Sequence, residues 1–209
     1  MLTPVNDFIL RYRWQALLLL GLIATYRMSD TVMGVMANVF YIDQGFTKDQ
    51  IAGVSKIFGL IMTLVGAGMG GLLIVRFGIL PILFIGGIAS ATTNLLFVML
   101  ADMGPDLQML IFTISLDNFS SGLATSAFVA YLSSLTNLKF SATQYALLSS
   151  IMLLLPRLIG GYSGVMVEKF GYHNFFLITC VLGVPTLLLI ALHWFQENRR
   201  IRLNPPAED

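Results

Sequence analysis

Five ionisable residues, Arg27, Asp30, Lys56, Asp117 and Arg157, stand inside long apolar runs of this 209-residue chain. A charge at the centre of a bilayer costs at least about 2.5–3.5 kcal/mol unless it is paired or hydrated. Residues kept at that cost face an interior cavity or one another, so each is a candidate for substrate or proton handling. Arg27 and Asp30 lie one helical turn apart, which leaves two readings open. They form a neutralising i,i+3 pair, or Arg27 holds an anionic group while Asp30 exchanges a proton. At about 100° per residue, Arg27, Asp30, Thr31, Gly34, Asn38 and Tyr41 fall on one arc of a helix. Met28, Val32, Val35, Met36 and Val39 fall on the other. That pattern predicts a helix lining a pathway with one polar stripe.

Lys56 shares a helical face with Gly59, Thr63, Gly66 and Gly70. It either lines the path or snorkels to the nearby interface. Arg157 follows Pro156, which removes a backbone hydrogen bond and predicts a kink. There Arg157 serves a gate or binding role, or pairs with Asp117. Asp117 and Asn118, with Ser120, Ser121 and Thr125 nearby, read as cavity lining. Gln144 joins the candidates through the repeated motif described below. Gly66 and Gly70, and again Gly160 and Gly164, are spaced for close helix packing. One cysteine, Cys180, and two separated histidines, His173 and His193, give no metal-ligand spacing. Gly161-Tyr162-Ser163-Gly164 misses the spacing of a nucleophile motif, and neither Asp30 nor Asp117 sits in a Gly-x-Gly-Asp. No enzyme chemistry, metal or cofactor is expected.

The elements that must position these residues follow from composition. The chain is 56% hydrophobic and 11% charged, whereas soluble domains carry roughly 25% charged residues. A net charge of +1 offers no basic footprint for nucleic acid. Six runs are long enough to cross a bilayer as helices: Gln15–Phe40, Ile51–Val75, Ile79–Leu100, Leu107–Leu135, Tyr145–Val167 and Phe175–Phe195. Short turn-like segments separate them, such as Asp43-Gln44-Gly45, Arg76-Phe77-Gly78 and Phe170-Gly171. This predicts a leader over 1–14 with no signal-peptide pattern, a six-helix unit over 15–196 and a tail over 197–209, disordered from Arg199 onward. With the N-terminus inside, the inner segments hold seven basic residues: Arg11, Arg13, Arg76, Lys139, Arg199, Arg200 and Arg202. The outer loops hold two, Lys48 and Lys169. Both termini are therefore expected in the cytoplasm.

An internal repeat organises the spans. Phe46-Thr47-x-x-Gln50-x-Ala52-x-x-Ser55 recurs 94 residues later as Phe140-Ser141-x-x-Gln144-x-Ala146-x-x-Ser149. The same shift lays Gly66 on Gly160 and Gly70 on Gly164, and one deletion then aligns Arg76-Phe77-Gly78 with Lys169-Phe170-Gly171. Each unit holds an odd number of spans, so the copies are inverted in the membrane. The expected class is an all-α integral membrane fold of two inverted three-helix repeats, one half of a major-facilitator arrangement. Gly71 to Gly78 resembles a worn copy of that superfamily's cytoplasmic loop motif, with Val75 where an Asp usually stands.

A narrower resemblance spans nearly the whole chain. The segment from Ala24 to Tyr41 resembles the seventh helix of the bacterial muropeptide permeases of AmpG type. Similar blocks follow at Ser55–Gly59, Ala91–Phe97, Ala130–Asn137, Ala142–Leu147 and Leu154–Gly161. The acetyl-coenzyme A transporters are similar at a greater distance. The resemblance implies proton-driven import of N-acetylglucosaminyl-anhydromuramyl peptides across the bacterial inner membrane, for cell-wall recycling. It also implies a partner. The family has twelve or more helices, Pro4 to Phe8 resembles its central loop, and an N-terminal six-helix half is expected elsewhere. Muropeptide, protons and bilayer lipid are the other expected partners. Arg27, Asp30, Lys56, Asp117, Asn118, Gln144 and Arg157 fall in blocks matching the family. Their roles rest on their polarity inside the membrane.

Overall fold

A computed structural model describes residue 7 and residues 10–136 and 141–203, and among the described residues helices joined by short turns are the sole regular secondary structure. The first span is built of α1 (Gln15–Thr25) and α2 (Met28–Asp43). The second comprises α3 (Lys48–Val54), a π-helical turn (Ser55–Gly59) and α4 (Leu60–Phe77). The third and fourth are single helices, α5 (Ile79–Met103) and α6 (Leu107–Leu135). The fifth joins α7 (Ser141–Gly160) to the start of α8 (Ser163–Leu182), and the sixth joins the rest of α8 to α9 (Val184–Leu203). At 1.5 Å per residue, the 25 residues of α5 reach about 37 Å, enough to cross a bilayer.

Local chemistry sets the ends. Thr47 caps α3 by accepting from the Gln50 amide, and the Gln50 side chain accepts from the Thr47 amide. The repeated Thr-x-x-Gln motif is therefore a capping box in its first copy. Asp106 caps α6 by accepting the Met109 amide at 2.9 Å. Gly78 (φ 86, ψ 172) turns the second span into the third, and Gly171 (φ 75, ψ 166) turns the fifth into the sixth. Both conformations are open only to glycine at low cost.

Helix pairing follows the repeat. The second span packs on the fourth as the fifth packs on the first. The third packs on the fourth as the sixth packs on the first, and the third and sixth meet each other. Gly66 and Gly70 make the second-on-fourth crossing close. A methyl on Gly66 would strike the Phe119 carbonyl, one on Gly70 the Ser126 hydroxyl, and one on Gly122 the Thr63 carbonyl. Gly160 repeats the contact against Val35 and Val32 of the first span. Gly164 does not: no atom lies within 4 Å of where its Cβ would be. The chain breaks at Gly161-Tyr162 and turns Gly164 outward, while Ser163 takes the inner position and donates to the Val32 carbonyl at 3.2 Å.

Several sequence boundaries shift. The first span runs on to Asp43 and is interrupted at Tyr26-Arg27. The fifth begins at Ser141, and its helix runs unbroken through Pro156 to Gly160. The break sits at Gly161-Tyr162 instead of at the proline. The last helix continues to Leu203, past the expected disordered start at Arg199, because Arg, Ile and Leu all support helix. The rest of the expected leader and tail, and Asn137 to Phe140 of the repeat and loop, lie outside the described residues.

Two apolar cores fill the unit. One, toward the basic end, gathers Leu19, Leu22, Ile23, Leu83, Phe128 and Ile190. The other, toward the acidic end, gathers Phe40, Tyr41, Phe97, Phe175 and Phe176. Tyr41 therefore belongs to an aromatic core, at 5% exposure, and not to the polar stripe. Cross-links fasten both ends. Tyr172 donates to Asp43 at 2.5 Å, His173 pairs with Asp102 at 2.8 Å, and Gln44 donates to the Ala101 carbonyl at 3.2 Å. At the basic end Arg11 and Tyr12 reach the Leu135 carbonyl, each at 3.4 Å.

Candidate translocation site

Between the two cores lies one polar layer, halfway along the spans. Its position begins with the break in the first span, which contains neither Gly nor Pro at that point. Thr25 turns its hydroxyl back onto the Gly21 carbonyl at 2.9 Å, a bond that bends helices. The Thr25 carbonyl accepts Thr186 of the sixth span at 2.9 Å. A side chain thus takes the place of a helical amide, and Arg27 leaves helical geometry at φ −96, ψ 9. Buried Tyr26 anchors the break. Its ring stacks on Phe128 at 4.4 Å, and its hydroxyl lies 3.3 Å from the Leu83 and Ala124 carbonyls.

The break presents Arg27 and Asp30 together. Arg27 Nη1 lies 3.8 Å from Asp30 Oδ2 and donates to Thr125 Oγ1 of the fourth span at 2.9 Å. Asp30 Oδ1 accepts the hydroxyl of Ser90 from the third span. The side chains are 24% and 13% exposed, so neither is sealed away. Thr93, one turn from Ser90, donates to the Ser90 carbonyl at 2.9 Å and lies 3.3 Å from Asp117 Oδ1. Ser120 donates to the Asp117 carbonyl at 3.0 Å. Ser90 and Thr93 thus link the Arg27–Asp30 pair to Asp117 through one chain of polar contacts. Asn118 is tied down separately, donating to Ile114 at 2.8 Å and accepting from Thr63 at 3.1 Å, with Gly59 leaving room beside it.

The remaining candidates lie elsewhere. Lys56 is exposed on the π-helical turn and reaches no carboxylate among the described residues. Arg157 is exposed, and the Arg157–Asp117 ion pair is not formed; Asp117 is held by Thr93 instead. Asn38 is exposed on the face that also shows Val35 and Val39, so that stripe is mixed and not purely polar. Gln144 is buried at the start of α7 and donates to Asp7 at 3.0 Å, away from the mid-span layer.

Sequence reasoning missed Ser29, Ser90, Thr93, Asn94 and Thr179. Asn94 donates to Ser29 Oγ at 2.7 Å and to Thr179 Oγ1 at 3.1 Å, and Ser29 donates on to the Thr179 carbonyl at 2.8 Å. This buried triad joins the first, third and sixth spans. Its available signal was the run Ser90-Ala-Thr-Thr-Asn94 at the middle of an otherwise apolar span.

Six spans among the described residues, in inverted three-span repeats with charges at mid-span, define one half of a major-facilitator fold, and residues 18–209 match the Major Facilitator Superfamily. The chain belongs to that family, and it is a membrane protein. It is similar to "Putative transporter AmpG 4" of Rickettsia conorii, 38% identical over 90% of this chain and 45% of that one. It is also similar to "Putative transporter AmpG 1" of Rickettsia felis, at 35% over 88% and 42%. "Putative transporter AmpG 3" of Rickettsia prowazekii matches at 31% over 88% and 45%. The chain thus spans less than half the length of these relatives.

Proposed function

We propose that this chain is half of a proton-driven transporter that imports N-acetylglucosaminyl-anhydromuramyl peptides across the bacterial inner membrane for cell-wall recycling. The observation that carries the reading is the Arg27–Asp30 pair at the break of the first span, only partly covered by the unit itself. Broken membrane helices with charges at mid-depth are where secondary transporters hold substrate and coupling ions. The resemblance to muropeptide permeases and the AmpG names of the relatives support the substrate. Arg27 offers a donor for a substrate carboxylate, and Asp30 and Asp117 are carboxylates that a proton can neutralise. The seven-to-two arginine and lysine asymmetry supports cytoplasmic termini.

The other half of the path comes from a second six-helix unit, in a separate chain or in the same polypeptide. The match to less than half of each relative supports that requirement. It equally supports a second reading, an assembly subunit with no transport of its own. Uptake of labelled anhydromuropeptide by cells lacking their own permease separates the two. Accumulation is expected only when this chain and an N-terminal half are produced together. Accumulation by the half alone, or the same accumulation after this chain is omitted, contradicts the proposal.

A further inference from the structure

We infer that Thr186 of the sixth span is a positioning residue for recognition: its hydroxyl holds the first span broken at Tyr26-Arg27 and so sets where the Arg27 guanidinium meets the transported molecule. This role rests on the transport reading above. It adds a residue outside the path, on a helix with no acidic or basic side chain between Phe175 and Leu192. Thr179, Gly183, Thr186 and Ile190 follow one another at i, i+4, i+7 and i+11, which is one face of a helix. Thr179, Thr186 and Ile190 are at most 3% exposed, so that face is sealed against its neighbours. Gly183, between α8 and α9, lets the face come close. A methyl there would lie 2.8 Å from the Ala91 Cβ and 3.7 Å from the Ser29 Cβ. The face grips the first span on both sides of its break. Before the break, Thr186 donates to the Thr25 carbonyl at 2.9 Å. After it, Ser29 donates to the Thr179 carbonyl at 2.8 Å.

The direction of the Thr186 bond decides its role. A threonine inside a helix ordinarily turns its hydroxyl onto a carbonyl three or four residues back, as Thr25 and Thr179 do. Thr186 gives its single proton to another helix instead. In an unbroken helix the Thr25 carbonyl would accept the amide of Ser29, four residues on. A hydroxyl arriving from outside competes for that carbonyl, and an inserted side chain of this kind is a recognised cause of helix breaks. Arg27 lies inside the interval, at φ −96, ψ 9, and from there reaches Thr125 at 2.9 Å. Without the Thr186 hydroxyl the Thr25 carbonyl returns to the helix ladder. The first span then straightens and Arg27 rotates relative to Thr125, while Asp30 stays tied to Ser90 of the third span. One hydroxyl on a helix away from the path therefore fixes the aim of the charge within it.

Two measurements test this. In the purified full chain in lipid nanodiscs, with Cys180→Ser, spin labels at Leu17→Cys and Val39→Cys sit on exposed residues either side of the break. Thr186→Val keeps the shape and deletes the hydroxyl, and it should shift the label separation by about 2 Å or more as the helix straightens. Thr186→Ser should leave the separation at the parent value. The second measurement is counterflow exchange of labelled N-acetylglucosaminyl-anhydromuramyl tripeptide in vesicles holding this chain and a second half. Thr186→Val should raise KM at least about fivefold and keep the maximal rate within about twofold, and Thr186→Ser should restore KM. Comparable melting of parent and variants separates a misplaced Arg27 from lost folding, and Thr186→Ala gives both readouts if the valine variant does not fold. An unchanged separation, an unchanged KM, or equal losses in the serine and valine variants overturns the assignment. Absence of exchange in every chain, the parent included, rejects the transport reading. A shifted separation then still assigns the break to Thr186, and an unshifted one rejects that as well.

Discussion

Gly78 and Gly171 adopt the same backbone conformation, φ 86 and ψ 172 at one and φ 75 and ψ 166 at the other. Each follows an aromatic residue that follows a basic one, in Arg76-Phe77-Gly78 and Lys169-Phe170-Gly171. Each ends the second span of its three-helix unit and starts the third. The repeat is thus preserved in backbone geometry even where most side chains between the turns have diverged. Inversion places the two turns at opposite ends of the unit.

Equal geometry predicts equal cost. A side chain at such φ and ψ carries about 1–3 kcal/mol of strain. Gly78→Ala and Gly171→Ala should each lower the melting temperature of the detergent-solubilised chain by a similar amount. A large drop in one and none in the other would contradict the equivalence of the two turns.

The packing glycines predict an asymmetry instead. Gly66→Ala and Gly122→Ala push a methyl into backbone of the facing helix, where overpacking costs about 1–3 kcal/mol. Gly164→Ala meets open space and should change stability by less than about 0.5 kcal/mol. Expression and thermal melting of the three variants check this. Equal loss at Gly164 would place that residue back in a helix contact.

The buried triad makes a counterintuitive prediction. Ser29 and Thr179 both donate to carbonyls, of Thr179 and Phe176, so they accept from Asn94 and fix its amide orientation. That leaves Asn94 Oδ1 buried without a partner. Asn94→Leu removes the orphaned acceptor and leaves both hydroxyls donating, so its net cost should stay below about 1 kcal/mol. Asn94→Asp adds a charge with nothing to pair it and should abolish folded expression. Comparable melting of the aspartate variant and the parent chain would refute this account.

Topology is open to direct labelling. In a Cys180→Ser background, Met103→Cys sits on an exposed residue at the far end of the third span, and Phe77→Cys on an exposed residue at the end of the second span, beside the start of the third. A membrane-impermeant maleimide added to intact cells should label position 103 and spare position 77. The reverse result would invert the proposed orientation.

The spans, the repeat and the Arg27–Asp30 pair were legible because apolar length, motif recurrence and intramembrane charge are written in residue type. The break at Tyr26-Arg27 was not, because its cause is a Thr186 hydroxyl arriving from another helix. Gly164 misled for a similar reason: its spacing copies Gly70, yet Gly161-Tyr162 turns it away from the packed face. Pro156 promised a kink that the sequence rule alone could not place. The polar residues of the third span were passed over because hydroxyls and one amide carry little weight against charges in sequence. Their importance appears only when three spans bring them to one level.

The central claim is that Arg27 and Asp30 couple substrate movement to a proton instead of merely neutralising each other. The most direct measurement is accumulation against counterflow exchange in vesicles containing this chain and a second half. Asp30→Asn should abolish proton-driven accumulation of labelled anhydromuropeptide while exchange persists, and adding Arg27→Gln should not restore accumulation. Accumulation at the unmutated level in the Arg27→Gln, Asp30→Asn double variant would contradict coupling and leave the pair a structural one.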